Sequence, residues 1–386
     1  MPRTIYFDYN STTPLAPAVR DAMLPFLCGG VGDAWGNPSS VHHVGRKARA
    51  LLDDARERTA KILGALPSEI IFTGGGTEAS NLAIFGAARL LKNRGKHLIT
   101  SAVEHHAVLH CVDFLEKFEG FDVTRLPVNA EGRVSVDDLQ RAIRPDTVLV
   151  SIMAANNEIG TIQPVAQLGA ACRERGIIFH SDAVQWFGKE PFENLGQFNA
   201  DLVSVCPHKF HGPKGAGLLY CKSPLRPVPL LFGGAHENER RAGTENLAAI
   251  IGLVSALEKF LTPPVFPVAL LKPLTAQLAA AIEKIDGCEI VSPREHCLAN
   301  TVSFLVRRAD SIALLAGLDV EGICASSGSA CSAGSLEPSH VIVAIGKANF
   351  SNSLVRFSLG RNSTPAEVDF VCAALPEIIR RAQLGK

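Results

Sequence analysis

Several features that would point away from a soluble enzyme are missing from this 386-residue sequence. Lysine plus arginine and aspartate plus glutamate number 38 each, and no run of like charges favours a nucleic acid or an anionic membrane as partner. The ten cysteines form no CxxC pair, which argues against a zinc site or a disulfide framework and favours a reducing compartment. No apolar stretch is long enough to span a bilayer, and no signal peptide is evident. A cytoplasmic enzyme or binding protein is therefore expected.

The first two thirds of the chain alternate short apolar runs with helical patterns. Four continuous apolar runs predict buried strands of a largely parallel sheet covered on both faces, at 96–101, 146–153, 176–182 and 200–205. Apolar residues at helical spacing predict a helix from Ala48 to Leu63 with Gly64 as its stop. Ser135 and Asp138 resemble a capping box that opens another helix. Together these patterns predict an α/β core.

The pattern changes after about residue 255. The stretch "FLTPPVFPVALLKP" contains four prolines and predicts a linker or a broken helix at a domain boundary. Beyond it, "NTVSFLV" and "SLVRFSLG" predict strands, and Thr364, Pro365 and Glu367 predict the start of a last helix. The predicted division is a large α/β domain over 14–255 and a smaller α+β domain over 256–386, to which the N-terminal segment 1–13 is joined.

Polar residues collect directly after the predicted strands. In open α/β sheets, ligands bind beyond the carboxyl ends of the strands, so these residues are expected to share one site. The stretch "TGGGT" (73–77) leads into an apolar helix, and its free N–H groups with the Thr77 hydroxyl predict an anion site, although this is not the GxxxxGK[ST] pattern of a P-loop. The polar residues after the other strands are His105 and His106; Asn156, Asn157 and Glu158; Asp182 and Gln185; and His208 and Lys209.

One ligand, pyridoxal phosphate, would use all of these groups. Its phosphate suits the glycine-rich helix start, where Gly76 and Thr77 lie. Its pyridine nitrogen suits Asp182, because the ring withdraws electrons only while that nitrogen is protonated. Its aldehyde suits Lys209 as a Schiff base, and an imidazole can cover its ring. The motif "CPHKFHGPKGAG" taken alone favours an ordinary solvated loop lysine, since most lysines lie in water.

The motifs in this order resemble the cysteine desulfurases of the NifS/IscS type, in the class-V branch of fold-type I pyridoxal-phosphate enzymes. The resemblance covers almost the whole chain. It rests on "YFDYNSTTP", "GNPSS", "IIFTGGGTEASN", "VEHHAV", "SIMAANNEIG", "FHSDAVQ", "PHKFHGPKG", "RAGTEN", "SSGSACSAGSLEPSH" and "VRFSLGR". It implies the fold-type I architecture, pyridoxal 5'-phosphate as cofactor, no metal, and removal of sulfur from L-cysteine to give L-alanine and an enzyme persulfide.

The resemblance also implies roles for individual residues. Lys209 corresponds to the Schiff-base lysine and His105 to the imidazole that stacks on the ring. Asp182 corresponds to the partner of the pyridine nitrogen and Gln185 to the donor to the ring oxygen. Thr77 and His208 correspond to phosphate ligands. Asn157 corresponds to the asparagine near the ring oxygen and the substrate, and Arg356 to the arginine that holds the substrate carboxylate.

Two further implied residues concern assembly and sulfur transfer. Thr244, in "RAGTEN", corresponds to a threonine that reaches the phosphate of the neighbouring subunit, so a homodimer is implied. Cys331, in "ASSGSACSAGSLEP", corresponds to the nucleophile that takes the substrate sulfur and delivers it to an acceptor such as an iron–sulfur scaffold protein. An isolated cysteine is otherwise most often a buried hydrophobe, and the other nine are expected to be structural.

Two positions depart from the family pattern. Cys206 stands where a serine usually donates a hydrogen bond to the phosphate, and since a thiol is a weaker donor, cofactor affinity is expected to fall. Ser11 stands where alanine is usual and is expected to matter little.

Other functions stay open at this point. "AWGNPSS" and "LLFGGAHENERRAGTEN" also resemble the selenocysteine lyases, which share the fold. A catalytically weak sulfur-carrier or binding protein is the alternative from a different class, supported by Cys206 alone. A class-V aminotransferase would not need Cys331.

Overall fold

A seven-stranded sheet is the largest element of the computed structural model, which describes residues 4–27, 35–328 and 339–384. Its strands are β2 (Ile70–Thr73), β3 (His97–Ser101), β4 (Asp122–Leu126), β5 (Thr147–Ser151), β6 (Ile178–Asp182), β7 (Leu202–Val205) and β8 (Gly217–Cys221). Their order is β2-β8-β7-β6-β5-β3-β4, and β8 runs antiparallel to both neighbours while the other four pairings are parallel. The four strands predicted from apolar runs are β3, β5, β6 and β7, so the prediction of a largely parallel α/β sheet is confirmed.

Both faces of this sheet are buried except at the edge strand β4, which explains why most of its strands lack the alternation of apolar and polar residues. In β2, Ile70 and Phe72 pack into one hydrophobic cluster, whereas Ile71 packs into another, because alternate residues of a strand point to opposite faces. The first cluster draws on helices α2 (His43–Leu63), α6 (Val165–Glu174) and α7 (Leu247–Phe260). The second draws on α3 (Gly76–Leu91) and α4 (His106–Glu119).

The ends of several helices follow the predicted capping signals. Helix α2 ends at Gly64, which adopts φ 68° in the left-handed region that favours glycine. The Ser135 hydroxyl accepts a hydrogen bond from the Asp138 N–H at 3.3 Å. Thr364 and Glu367 form both bonds of a capping box, at 3.3 and 2.8 Å. The remaining helices are α1 (Pro17–Met23), α5 (Val136–Ala142), α8 (Val268–Ile282), α9 (Ser311–Val320), α10 (His340–Ala344) and α11 (Pro365–Leu384).

Two smaller sheets involve the C-terminal third of the chain. A three-stranded antiparallel sheet has the order β12-β10-β9, and β1 pairs in parallel with β11. These strands are β1 (Ile5–Tyr6), β9 (Cys288–Ile290), β10 (Thr301–Val306), β11 (Ile323–Cys324) and β12 (Leu354–Ser358). The first strand is thereby tied to a segment more than 300 residues away.

The proline-rich stretch separates α7 from α8. Helix α7 ends at Phe260, and α8 begins after Pro267 and contains Pro273. The predicted domain boundary between residues 255 and 256 falls inside α7, and the division into two domains stays a prediction. Within the described ranges, no helix has both the length and the hydrophobicity needed to cross a membrane.

Candidate active site

A cavity, partly open to solvent, lies at the carboxyl edge of the seven-stranded sheet. Strand β2 points the same way as β7, since both are antiparallel to β8, so the segments after β2, β3, β5, β6 and β7 meet at this edge. Ten predicted site residues line the cavity: Gly76, Thr77, His105, Asn157, Asp182, Gln185, Cys206, His208, Lys209 and Arg356. The tertiary fold therefore brings together residues that the sequence separates by up to 280 positions.

One predicted site residue of the described ranges does not line the cavity. Thr244 is exposed elsewhere on the surface, and its implied role toward a second subunit stays a prediction. Cys331 lies outside the described residues.

Lys209 ends a 3-10 turn, Pro207–Lys209, that directly follows β7. Its Nζ donates hydrogen bonds to the backbone carbonyl oxygens of Asn10 and Ser11, at 2.8 and 2.7 Å. The side chain is half-buried and lines the cavity. The amine is therefore held against the cavity wall, unlike that of an ordinary solvated loop lysine.

Asp182, the last residue of β6, places a buried carboxylate in the cavity wall. Burial raises its pKa to about 6, while a hydrogen bond from the Val184 N–H and the charge of Lys209 act in the opposite direction. The ion pairs found among the described residues do not include Asp182. A cationic group bound beside it would remove this penalty, as the protonated nitrogen of a pyridine ring would.

A chain of buried polar side chains supports Asp182 from behind. Ser80 Oγ lies 3.5 Å from Asp182 Oδ2 and 3.1 Å from Ser204 Oγ, which is 2.9 Å from His180 Nε2. Burial lowers the pKa of His180 to about 3, so its ring is neutral. The sequence analysis did not identify this group, although a histidine and serines inside apolar runs such as "IIFHSD" were the available signal.

Both predicted histidines of the cavity are neutral. Burial, assisted by the charge of Lys209, lowers the pKa of His105 to about 4 and that of His208 to about 3. His105 Nδ1 accepts a hydrogen bond from the Ala107 N–H at the start of α4, so Nε2 carries the ring proton. His208 Nδ1 lies 3.1 Å from Thr12 Oγ1. A neutral imidazole can stack on an aromatic ring without adding charge to the site.

The start of α3 forms an uncapped, close-packed wall of the cavity. No side chain caps this 16-residue helix, whose N-terminus carries partial positive charge. A Cβ on Gly76 would lie 2.8 Å from Val184 Cγ2 and 3.3 Å from Cys206 Cβ, so glycine is required there. The Cys206 thiol is buried, which raises its pKa, and Gly76 offers it a backbone hydrogen bond. These features suit an anionic group such as a phosphate.

Arg356 on β12 is only 1% exposed, and it lines the cavity. Its Nη2 forms an ion pair with Asp8 Oδ1 at 2.7 Å, and its Nη1 donates to the carbonyl oxygens of Asn157 and Gly328 at 2.8 and 3.0 Å. Among the described residues, the buried Nε–H has no hydrogen-bond partner. Since a buried unpaired donor is costly, this group is suited to binding a small carboxylate.

Asn10 connects the groups of the cavity, and the sequence analysis gave it no role. Its carbonyl oxygen accepts hydrogen bonds from both Lys209 Nζ and Gln185 Nε2, each at 2.8 Å. Its side-chain Nδ2 donates to Thr301 Oγ1 at 2.9 Å and to the Asn157 carbonyl at 3.3 Å. The available signal was its place in "YFDYNSTTP".

Ser11, which was expected to matter little, also takes part in the site. Its hydroxyl donates to Asp8 Oδ2 at 2.5 Å, and Asp8 in turn holds Arg356. Its carbonyl oxygen is one of the two acceptors of the Lys209 amine.

Comparisons with known proteins agree with this geometry. The family model described as aminotransferase class-V matches residues 5–371. A protein of Dictyoglomus turgidum named cysteine desulfurase IscS is 45% identical over 383 residues, covering 99% of this chain and 96% of its own. Sequence identity at this level over nearly the full length of both chains shows the family as well as the fold.

Two solved structures also resemble the chain. A NifS-like protein is 34% identical and superposes with a TM-score of 0.90, over 98% of this chain and all of its own. A structure described as SspA in complex with cysteine is 36% identical, with a TM-score of 0.81, over 94% of this chain and all of its own. The chain therefore belongs to the class-V aminotransferase family, in its NifS/IscS group of cysteine desulfurases.

Proposed function

We propose that the chain is a pyridoxal-phosphate-dependent cysteine desulfurase that converts L-cysteine to L-alanine and carries the sulfur as a persulfide on Cys331. The observation that carries this proposal is the meeting, in one cavity, of the Lys209 amine, the buried Asp182 carboxylate and the uncapped start of α3. The desulfurase names of the nearly full-length relatives support the choice of substrate.

The lining residues fit the cofactor group by group. Thr77, His208 and the N–H groups at Gly76 would hold the phosphate, and Asp182 would hold the pyridine nitrogen in its protonated form. Gln185 and Asn157 would contact the ring oxygen, and His105 would stack on the ring. When bound, pyridoxal phosphate supplies an electron sink for the charge left at the substrate α-carbon.

Lys209 and Arg356 act directly on the substrate. The Arg356 guanidinium, which lines the cavity, binds the carboxylate of cysteine, and Asp8 keeps it in place. Lys209 Nζ would hold the cofactor at its aldehyde, and as a free amine it accepts the α-proton of the substrate. Its two carbonyl acceptors, Asn10 and Ser11, stabilise the ammonium group that results.

Cys331 takes the sulfur in the proposed reaction. Its thiolate attacks the substrate sulfur, an S–S bond forms, and the electron pair of the broken C–S bond stays on carbon, which is protonated to give alanine. The described residues on either side of the Cys331 segment have contacts that support this role. Arg356 Nη1 donates to the Gly328 carbonyl at 3.0 Å, and Ser339 Oγ donates to Glu158 at 2.6 Å. The flank at Gly328 therefore contacts a residue of the cavity wall, and the flank at Ser339 contacts the residue that follows Asn157 in the chain.

The proposal includes a homodimer and a sulfur-acceptor protein. Thr244 is exposed, as a residue serving a neighbouring subunit must be. An iron–sulfur scaffold protein is the acceptor class that the family relationship supports. The eight described cysteines are free thiols, which agrees with the reducing cytoplasm as the site of action.

The test is alanine release from L-cysteine, with reductant, by the wild type and by Cys331→Ala. Release is expected to collapse in the variant, and mass spectrometry of the wild type is expected to find a persulfide on Cys331. Cys324→Ala is the matched control, because Cys324 is a partly buried free thiol that does not line the cavity, and its replacement is expected to leave the rate unchanged. Alanine release by Cys331→Ala at the wild-type rate would exclude this nucleophile and favour a lyase.

A further inference from the structure

Lys189 is a buried lysine behind the cavity, and the proposed reaction does not use it. Its side chain is only 2% exposed, and it does not line the cavity. Its Nζ donates to Asn10 Oδ1 at 2.7 Å and to Gln185 Oε1, and it lies 5.5 Å from the centroid of the Phe266 ring. These partners are neutral amide oxygens and an aromatic face. A buried amine held in this way requires a reason, since isolated charges are costly to bury.

The local backbone is built to place this amine. Lys189 lies four residues after Gln185, at the end of a helical turn in which the Lys189 N–H donates to the Trp186 carbonyl. Gly188 adopts φ 75°, and a Cβ there would lie 2.5 Å from Cβ of Phe210, the residue after Lys209. The turn and the Lys209 segment therefore pack so closely that only glycine fits between them. The position of Lys189 is thus fixed relative to Lys209.

Lys189 decides which end of the Gln185 amide faces the cavity. A lysine amine donates to both of its partners here, so the Gln185 oxygen must point toward Lys189 and the nitrogen away from it. Gln185 Nε2 carries two hydrogens and gives one to the Asn10 carbonyl at 2.8 Å. The other remains for a ligand in the cavity, which Gln185 lines. A flipped amide would present an acceptor instead.

The same amine fixes the orientation of Asn10. Asn10 Oδ1 accepts from Lys189 and from Asn300 Nδ2, at 2.7 and 3.0 Å, so its Nδ2 points toward Thr301 and Asn157. Asn10 also carries the carbonyl that receives Lys209 and Gln185. The pKa of Lys189 is well below the ordinary lysine value, because of burial and the charges of Lys209 and Arg356. An anionic oxygen in the cavity would reduce this repulsion.

We infer that Lys189 is a positioning residue that orients the Gln185 amide as a hydrogen-bond donor to the cofactor ring oxygen. This inference rests on the proposed function, in which Gln185 contacts that oxygen. It assigns to Lys189 an effect that passes through Gln185, so the effect is expected to vanish when Gln185 cannot donate.

The test is a double-mutant cycle on cofactor affinity. Apoproteins of the wild type, Lys189→Met, Gln185→Met and the double variant are titrated with pyridoxal phosphate, and Kd and the absorbance maximum of the bound cofactor are measured. Lys189→Met is expected to weaken binding about tenfold and to shift the maximum, because the Gln185 amide loses the donor that fixes its orientation. In the Gln185→Met background, it is expected to change Kd by less than about twofold. Equal losses in both backgrounds, or no loss in either, would overturn the inference.

Two further measurements distinguish a loss of cofactor affinity from a failure to fold and from a failure of the proposed function. Melting temperatures of the apoproteins identify variants that do not fold, and Lys189→Leu, which likewise removes the donor, replaces Lys189→Met in the cycle in that case. A wild-type protein that binds the cofactor but releases no alanine from L-cysteine contradicts the proposed function alone. A wild-type protein that binds no cofactor contradicts both.

Discussion

Replacing Cys206 by serine is expected to tighten cofactor binding. Cys206 lies beside the first residue of α3, where a Cβ built on Gly76 would be 3.3 Å from Cys206 Cβ. The thiol is 3% exposed, and the hydrogen bond that it donates, from Sγ to the Ala216 carbonyl, is long at 3.6 Å. A serine hydroxyl fits the same space and donates a stronger hydrogen bond to a phosphate held at the helix start.

The magnitude follows from one added hydrogen bond. A typical net contribution of about 1 kcal/mol corresponds to a Kd about fivefold lower in Cys206→Ser than in the wild type. The stability of the apoprotein is expected to change by less than about 1 kcal/mol, since the new hydroxyl can donate to Ala216 when no phosphate is bound.

The assay is titration of apoprotein with pyridoxal phosphate, followed by absorbance. Cys221→Ser is the matched control, because Cys221 is a buried thiol whose Sγ donates to the Leu225 carbonyl at 3.2 Å and does not line the cavity. Its Kd is expected to equal that of the wild type. If Cys206→Ser binds no more tightly than Cys221→Ser, the reasoning that places the phosphate against Cys206 is refuted.

Two further predictions concern charged residues of the cavity. In the apoprotein, burial raises the pKa of Asp182 to about 6, so its stabilising effect is present below about pH 4 and is lost as the pH rises through 6. As the pH rises through this range, the free energy of unfolding measured in urea is expected to fall by up to about 3 kcal/mol more for the wild type than for Asp182→Asn. Parallel pH curves for the two proteins would contradict this expectation. Arg356→Lys is expected to raise KM for L-cysteine about tenfold or more, because one ammonium cannot bind Asp8, the Asn157 carbonyl and a carboxylate as a guanidinium does. An unchanged KM in steady-state alanine release would exclude this role.

Local structure was predictable from the sequence because its causes are local. The apolar runs that form β3, β5, β6 and β7 are buried on both faces. A strand buried on both faces can be predicted from its continuous apolar sequence alone, without knowing which elements pack against it. Caps such as Thr364 with Glu367 involve residues three positions apart, so their hydrogen bonds are encoded in short patterns.

The location of the site was also predictable, whereas its residue roles came from resemblance. The rule that ligands bind at the carboxyl ends of parallel strands placed His105, Asp182 and Lys209 together, and all three line one cavity. Which of them stacks, pairs or carries a cofactor depended on the family motifs. The predicted domain boundary and the roles of Thr244 and Cys331 stay predictions.

The sequence by itself determined the α/β pattern, the helix ends and the set of polar residues at the strand ends. The tertiary structure alone decided how these residues are held. Asp8 and Arg356 are separated by 348 positions, and Asn10 and Lys189 by 179, yet each pair is joined by one short contact. Such contacts depend on how distant segments pack, and their energy comes from burial away from water, which short-range patterns in the chain do not encode. That is why Asn10 and Lys189 became visible only in the folded protein.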